Sequence, residues 1–190
     1  MTYTVPDFGP NDLLTSGAES FRRVRVDPAQ TGFFEGREFR TFYEFNIPSG
    51  QSVIIKFSSA VDFILFNQSL EVDAGAIRLS AITGATESTV FATSLPVIGK
   101  NRMPTRRKYQ TGSGFYEAQV TLNTGGTITG GTVVEVARVV SSNATAQQQT
   151  VGGQQSDERG LPAGTYHLKL ENLSNGPATG VYSLFWEERP

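Results

Sequence analysis

Few residues in this chain could do acid–base, nucleophilic or metal chemistry. It contains one histidine, His167, and no cysteine, so a disulfide, a thiolate metal site and a Cys–His pair are excluded. A Ser–His–Asp triad would have to be built on His167, which an alternating pattern places on the polar face of a strand, where we expect solvation. Paired carboxylates for glycoside hydrolysis stay open, because nothing selects a pair among Asp62, Glu71, Asp73, Glu117 and Glu135. The sequence therefore predicts no catalytic, cofactor-binding or metal-binding residue.

The densest charge feature is a basic cluster within residues 99–114. Its members are Lys100, Arg102, Arg106, Arg107 and Lys108, with Tyr109 beside them. Such a cluster can be a solvated loop, can dock on an acidic protein surface, or can hold phosphates while its aromatic residue stacks on bases. The net charge of −2 argues against nucleic acid, since nucleic-acid-binding domains usually carry a larger positive charge. We therefore treat the cluster as a candidate protein-docking loop.

The elements that must position these residues read as strands. In Glu38–Asn46, Phe39, Thr41, Tyr43 and Phe45 lie on one face and Arg40, Phe42 and Glu44 on the other, the period of a strand. Further strands are predicted over Ser52–Phe57, Val61–Phe66, Ser69–Asp73, Ala76–Ile82, Thr89–Thr93, Pro96–Gly99, Phe115–Leu122 and Thr132–Val140. Turn residues recur at roughly ten-residue spacing and helical periodicity is scarce, which favours an all-β sandwich or barrel. Residues 99–114 and Ser141–Leu161 interrupt this rhythm as two long polar segments.

The last two strand-like runs, Thr165–Leu173 and Thr179–Glu187, flank an Asn-Gly-Pro turn and predict an antiparallel hairpin at the centre of a sheet. The charges after Trp186 are expected to end the second run. Both faces of this run are apolar, so it is either central between two layers or has one face against a partner chain. Tyr182 and Trp186 are therefore candidate partner-binding residues. With Tyr43 and Tyr116, they could also form a glycan-binding face, although core packing explains each of them equally well.

The composition predicts an N-terminal arm, residues 1–30, and a single β-sandwich domain, residues 31–190. Pro and Gly interrupt the arm, whose apolar residues show no sustained period. It is either a flexible terminus or a segment that orders against a neighbouring subunit, with Tyr3, Phe8, Leu13 and Leu14 as anchors and Arg22 and Arg23 as charged contacts. The first residues show no signal-peptide pattern, and no apolar run is long enough to span a membrane. We therefore expect a soluble protein that is made and used without export.

Three segments carry a resemblance to a known class of proteins. They are the run Arg25–Arg40 (RVDPAQTGFFEGREFR), Asp157-Glu158-Arg159-Gly160 with Ala163-Gly164-Thr165-Tyr166, and Trp186-Glu187-Glu188-Arg189. These segments resemble virion structural proteins of tailed bacteriophages. The resemblance covers most of the body, is patchy in the first twenty residues, and offers no catalytic residue to transfer. It does not distinguish between positions in the particle.

The resemblance implies a fold and a function. Phage decoration proteins and tail adaptors often use jelly-roll or related sandwiches, commonly as trimers, so we expect an antiparallel, jelly-roll-like β-sandwich. The implied function is a non-enzymatic capsid decoration or cement protein in the virion, which binds across neighbouring capsid subunits. Its expected partners are the major capsid protein and further copies of itself, with no cofactor and no membrane. The alternative is a tail or neck component, either a fibre adaptor or a receptor- or glycan-binding module.

Overall fold

Two antiparallel sheets account for most of the part of the chain that the structure, a computed structural model, describes: residues 31–101, 110–111, 114–141, 147–151 and 159–190. After a short helix, α1 (Thr31–Glu35), the longer strands are β1 (Glu38–Ile47), β2 (Ser52–Ser59), β3 (Asp62–Ala74), β4 (Ala76–Thr83), β10 (Val120–Thr124), β12 (Thr132–Val140), β13 (Gln147–Val151), β15 (Gly164–Asn172) and β16 (Ala178–Arg189). The shorter ones are β5 (Thr86–Glu87), β6 (Thr93–Ser94), β7 (Ile98–Gly99), β8 (Gln110–Thr111), β9 (Gly114–Phe115), β11 (Ile128–Thr129) and β14 (Arg159–Leu161).

The strand order is that of a jelly roll. The first sheet, sheet A, runs β13-β3-β16-β1-β7, with β14 also paired to β3; the second, sheet B, runs β12-β4-β15-β2-β10-β6. Strands β1 to β4 alternate between the sheets, and so do β12, β13, β15 and β16, whereas β10 stays in sheet B between β4 and β12 in chain order. Crossing from sheet to sheet at successive turns is how a jelly roll encloses one core between two layers. The expected all-β, antiparallel, jelly-roll-like sandwich is confirmed.

The core lies between the sheets and follows from the alternation along the strands. In β1 the predicted inward residues Phe39, Thr41 and Phe45 are buried and Tyr43 is half-buried. The central strands β15 and β16 bring Leu168, Leu170, Tyr182, Leu184 and Trp186 into the same interior. Trp186 stacks beside Phe39 at 6.0 Å between ring centroids and meets Phe57 of sheet B edge-on at 5.5 Å. Aromatic packing therefore joins the two layers at this end of the sandwich.

The prediction that the last two strands form a hairpin is wrong. Both of its strands are central, but β15 pairs with β2 and β4 in sheet B, whereas β16 pairs with β1 and β3 in sheet A. The turn at Asn175-Gly176-Pro177 therefore connects the two layers instead of closing a ladder. A local turn signal fixes that the chain reverses, and it does not fix whether the returning strand pairs with its predecessor or with a strand far away in sequence.

Other strand boundaries also differ from the prediction. Val61–Phe66 and Ser69–Asp73 belong to one strand, β3, and the predicted long segment Ser141–Leu161 contains β13 and β14, both paired with β3. The predicted strand Phe115–Leu122 is interrupted: Tyr116–Gln119 follow β9 as a non-strand segment before β10 begins. Residues Gly32–Pro190 cluster as one compact unit. Within the described ranges, no helix has the length and apolar character needed to cross a membrane.

Candidate functional site

Two ends of the described ranges, the residues just after position 31 and Asn101, lie side by side. The side chain of Asn101 donates a hydrogen bond from Nδ2 to the backbone oxygen of Phe33 at 3.0 Å. Next to it, the backbone N–H of Lys100 donates to the oxygen of Glu38 at 2.9 Å, which continues the pairing of β7 with β1. We call this meeting point, formed by Gly32, Phe33, Glu38, Lys100 and Asn101, the root. Its residues adjoin the predicted arm and the predicted basic loop in sequence.

Lys100 is the member of the basic cluster that the structure describes, and its ammonium group is already engaged at the root. Its Nζ atom lies 2.9 Å from Oε2 of Glu38, whose side chain is almost fully buried. The same atom lies 4.3 Å from the ring centroid of Phe185 and 5.8 Å from that of Phe33, within range of a cation–π interaction. Lys100 therefore holds the start of the basic loop against the body and is less available to a partner than its sequence position indicates.

Arg37 fastens the turn between α1 and β1 to the end of the central strand β16. Its guanidinium contacts Oε2 of Glu35 through Nε at 2.7 Å and Nη2 at 2.5 Å. Its Nη1 donates to the backbone oxygen of Glu188 at 2.7 Å and lies 2.9 Å from Oε1 of Glu187. Gly32 packs so closely on Glu187 that a Cβ there would come within 2.2 Å of the carboxylate. A planar, forked cation is the side chain best suited to joining three acceptors in this way.

Glu188 anchors a second segment to the same strand end. Its side chain is fully buried, and Oε2 accepts hydrogen bonds from the hydroxyl of Tyr116 at 2.7 Å and from the backbone N–H of Gln119 at 2.8 Å. Oε1 accepts from the backbone N–H of Val120 at 3.1 Å and from Nε1 of Trp186 at 3.3 Å. One carboxylate thus accepts hydrogen bonds from the non-strand segment before β10, which has no ladder of its own, and fixes it against sheet A.

The buried charges give the corner a rigid, specified geometry. Arg37, Glu187 and Glu188 are each less than a tenth exposed, and Arg189 pairs with Glu187 at 3.1 Å. Removing charges from water costs free energy that is recovered only where hydrogen bonds and opposite charges are well placed, as they are here. Removing one partner would leave the other buried charge uncompensated, which is strongly destabilising. Its chemistry is that of an anchor for the segments attached to it.

The structure places the other predicted partner-binding residues in two groups. Tyr182 and Trp186 have no exposed surface, so the prediction that they contact a partner or a glycan is wrong for the folded chain. Their face of β16 points into the sandwich, while Phe185 lies on the outer face against Phe66 at 5.1 Å. The remaining candidates lie outside the described residues: Tyr3, Phe8, Leu13, Leu14, Arg22, Arg23, Arg102, Arg106, Arg107 and Lys108.

His167 is buried, which corrects the expectation that it is solvated. It lies on the outer face of sheet B, but Phe91 covers it with ring centroids 5.7 Å apart. Burial lowers the pKa of His167, the nearby charge of Glu87 opposes that shift, and Lys56 adds to it. Lys56 and Glu87 form an ion pair of 2.6 Å beside the ring. The imidazole is therefore packed beneath the segment that connects β4 to β10.

Two of the candidate carboxylates, Asp62 and Glu135, have separate local partners. Asp62 accepts a hydrogen bond from the backbone N–H of Ala163 at 2.9 Å, and Glu135 pairs with Arg159 at 2.5 Å. Across the described ranges, no three His, Cys, Asp or Glu side chains are grouped so that they could hold a metal ion. The described geometry gives no preferred acid–base pair among these carboxylates.

Sequence reasoning missed Arg37, Glu187 and Glu188, which organise the corner. The charges after Trp186 were expected to end the strand, whereas β16 continues to Arg189. A signal was present: Leu184, Trp186 and Glu188 continue one period-2 face, so Glu188 falls on the inward side. Burying an isolated carboxylate is costly, and here the donors from Tyr116, Gln119, Val120 and Trp186 offset that cost.

Comparisons with protein-family models, with curated proteins and with solved structures find no match for this chain. The geometry of the corner and the resemblance of the three sequence segments therefore carry the functional argument. Two of those segments, Arg25–Arg40 and Trp186–Arg189, contribute the residues that meet around Arg37.

Proposed function

We propose that this chain is a non-enzymatic structural component of a bacteriophage virion, a capsid decoration or cement protein that binds across neighbouring capsid subunits. In this proposal the body is a rigid jelly-roll block, and the N-terminal arm and the basic loop attach it to the particle. The principal partner is the major capsid protein, and the protein acts in the virion. The jelly-roll fold, which occurs in viral capsid and lectin domains, supports this proposal only by analogy.

The observation that carries the proposal is the shared root of the two segments. The hydrogen bond from Asn101 to Phe33 brings together the described residues that adjoin the loop and the arm in sequence, and Arg37 joins that corner to the central strand β16 through the backbone oxygen of Glu188. Two binding segments that start from one rigid point can reach adjacent sites on a surface, and the second contact then forms at a high effective concentration. Detachment requires both contacts to break, which is the property that a cement protein needs.

A second feature supports self-association in the same particle. Strand β12 is an edge of sheet B, and Val134, Val136 and Val140 on it are exposed. An apolar edge strand tends to be covered by another chain. A homo-oligomer, with a trimer as the form that the resemblance implies, would bury this edge between copies. The oligomer would then present several arms and loops to the particle together.

The test uses capsids of the phage that encodes the chain, assembled without it and incubated with purified protein. Deleting residues 1–26 and, separately, replacing Arg102, Arg106, Arg107 and Lys108 with serine should each leave a folded protein that sediments with capsids at least tenfold more weakly. The control is Lys169→Ser, which removes one cation from the outer face of sheet B and should bind as the wild type does. Retention of full binding by both variants, or wild-type association with isolated tails and not with capsids, would overturn the proposal.

A further inference from the structure

Strand β1 has one edge that is only partly paired. On one side it pairs with β16 along its whole length, whereas on the other side β7 pairs only with Phe39 and Arg40. Among the described residues, no further strand pairs with β1. Residues 41–47 therefore form an open edge of sheet A, separate from the β12 edge, which belongs to sheet B. An unpaired strand edge is a template for an added strand from another chain.

The hydrogen bonds at the start of β1 show which residues point their backbone groups to this edge. The N–H of Lys100 donates to the oxygen of Glu38, so the backbone of Glu38 faces the β7 side. Alternate residues of a strand face the same side, and the register of β1 has no shift, so Phe42, Glu44 and Asn46 face this side too. All three are exposed, Phe42 by 44%. Their N–H and C=O groups are in position to continue a ladder.

The side chains along the open edge define what kind of strand fits it. On the outer face, Phe42 offers an aromatic ring and Glu44 a carboxylate. An apolar residue opposite the ring and a basic residue opposite the carboxylate are the cross-strand pairs that stabilise a sheet. On the inner face, Tyr43 is only half-buried, so an added strand would also cover this side of the core. The edge thus favours a strand in which apolar and basic residues lie two positions apart.

The predicted N-terminal arm contains a segment with this pattern. Residues 20–26 read Ser-Phe-Arg-Arg-Val-Arg-Val. If the segment pairs antiparallel to β1, as β7 does, one register places Val24 opposite Phe42 and Arg22 opposite Glu44. The other antiparallel registers put an arginine opposite Phe42 or leave Glu44 without a basic residue opposite it. Charge and apolar character therefore select both the segment and its register.

We propose that residues 20–26 of one copy of this chain add a strand to the open edge of β1 in a second copy, with Val24 opposite Phe42 and Arg22 opposite Glu44. Within one chain, residues 27–31 would have to lead the segment around β7, which fills the edge between this site and the start of β1. The arm of a second copy has no such constraint, and exchange of identical elements is a low-cost route to association. The inference concerns copies in solution and does not depend on the proposed virion function.

Disulfide trapping tests the register directly, because the chain contains no cysteine. In full-length Val24→Cys/Phe42→Cys, the paired Cα atoms would lie about 5.5 Å apart, within the range that a disulfide spans. We expect oxidation to give covalent dimers or larger species on a non-reducing gel. The control is Val24→Cys/Ser183→Cys, because Ser183 lies opposite Phe42 on β16, one strand further in. At about 10 Å this pair should not crosslink. The single-cysteine variants measure crosslinks between identical positions.

Two changes to the trapping pair test what holds the segment. Glu44→Pro removes an N–H that faces the open edge and none from the ladder with β16, so the body should stay folded by circular dichroism while trapping slows roughly tenfold. Arg22→Glu and Glu44→Arg should each slow trapping about fivefold, and the two together should restore it, because opposite charges then face each other again. If Glu44→Pro does not fold, the charge exchange carries this part of the test.

The proposal predicts crosslinks between chains that depend on this one register. It is overturned if Val24→Cys/Phe42→Cys gives no covalent dimer beyond the single-cysteine variants. It is equally overturned if the two thiols oxidise within one chain, if the Ser183→Cys control crosslinks as readily, or if the double charge exchange fails to restore trapping.

Discussion

The buried carboxylate of Glu188 should be among the most sensitive positions in the body. In Glu188→Ala, four donors lose their acceptor: the hydroxyl of Tyr116, the backbone N–H groups of Gln119 and Val120, and Nε1 of Trp186. Buried donors without a partner cost about 1–3 kcal/mol each, and the effects are not additive because water can enter the space left by the side chain. We expect the free energy of unfolding to fall by about 4 kcal/mol, a large share of the stability of a domain.

Glu188→Gln separates hydrogen bonding from volume. The amide keeps the size of the side chain and one acceptor oxygen. Its NH₂ group, however, faces two donors whose hydrogen bonds a carboxylate oxygen had accepted. We therefore expect a loss of about 2 kcal/mol, half that of the alanine variant. Glu117→Ala is the matched control, since this exposed carboxylate lies in the same segment and should change stability by less than about 0.5 kcal/mol.

The assay is urea denaturation followed by tryptophan fluorescence, which reports on Trp186 because it is the single tryptophan of the chain. The slope of the free energy with urea should stay constant, so that the shift in midpoint measures stability alone. A loss below about 1 kcal/mol in Glu188→Ala would refute the reasoning. It would mean that these four donors are satisfied equally well without the carboxylate.

Three further predictions concern titration and backbone packing. Burial raises the pKa of Tyr182 well above its usual 10.0, and the charge of Glu135 raises it further. The stability that the neutral hydroxyl contributes is therefore lost as the pH rises beyond about 10. Tyr182→Phe should reduce that loss of stability in urea titrations at alkaline pH. Burial lowers the pKa of His167 below its usual 6.5, so stability that is present above pH 6.5 should fall as the solution is acidified. His167→Leu should make the free energy of unfolding depend less on pH in this range. If the variant keeps the same pH dependence, carboxylates and not His167 cause it. Gly180→Ala should lower the free energy of unfolding by more than about 3 kcal/mol in the same assay, because the added Cβ would lie 2.0 Å from the backbone oxygen of Glu71. Gly176→Ala is the control, and it should be close to neutral because the space around Gly176 is open.

The sequence predicts the class of fold because each strand carries its own evidence. β1 and β12 were expected within one residue of their observed bounds, since alternation along a strand reports directly on which face is buried. Which strands pair with each other leaves no such local pattern in the sequence. β16 joins β1 and β3, which are more than a hundred residues away in sequence, and nothing in the run Thr179–Glu187 specifies those partners. The hairpin was therefore predicted where the chain instead crosses between layers.

The corner around Arg37 shows why the candidate site was harder to predict than the fold. Arg37, Glu187 and Glu188 look like surface residues by type. Arg37 and Glu187 are buried as an ion pair, and the buried carboxylate of Glu188 is satisfied by donors from Tyr116, Gln119, Val120 and Trp186. Such burial is a property of the group and cannot be assigned to any member alone.

On the proposed function, this grouping also has a mechanical consequence. Arg37 ties the turn before β1 to β16, which is hydrogen-bonded along its length to β1 and β3, so tension on this turn would load β16 as well as β1. Two ladders must then yield together, whereas an attachment to the edge strand β12 would need only one ladder to open. The central position of the anchor thus matches what an arm that holds two subunits together requires.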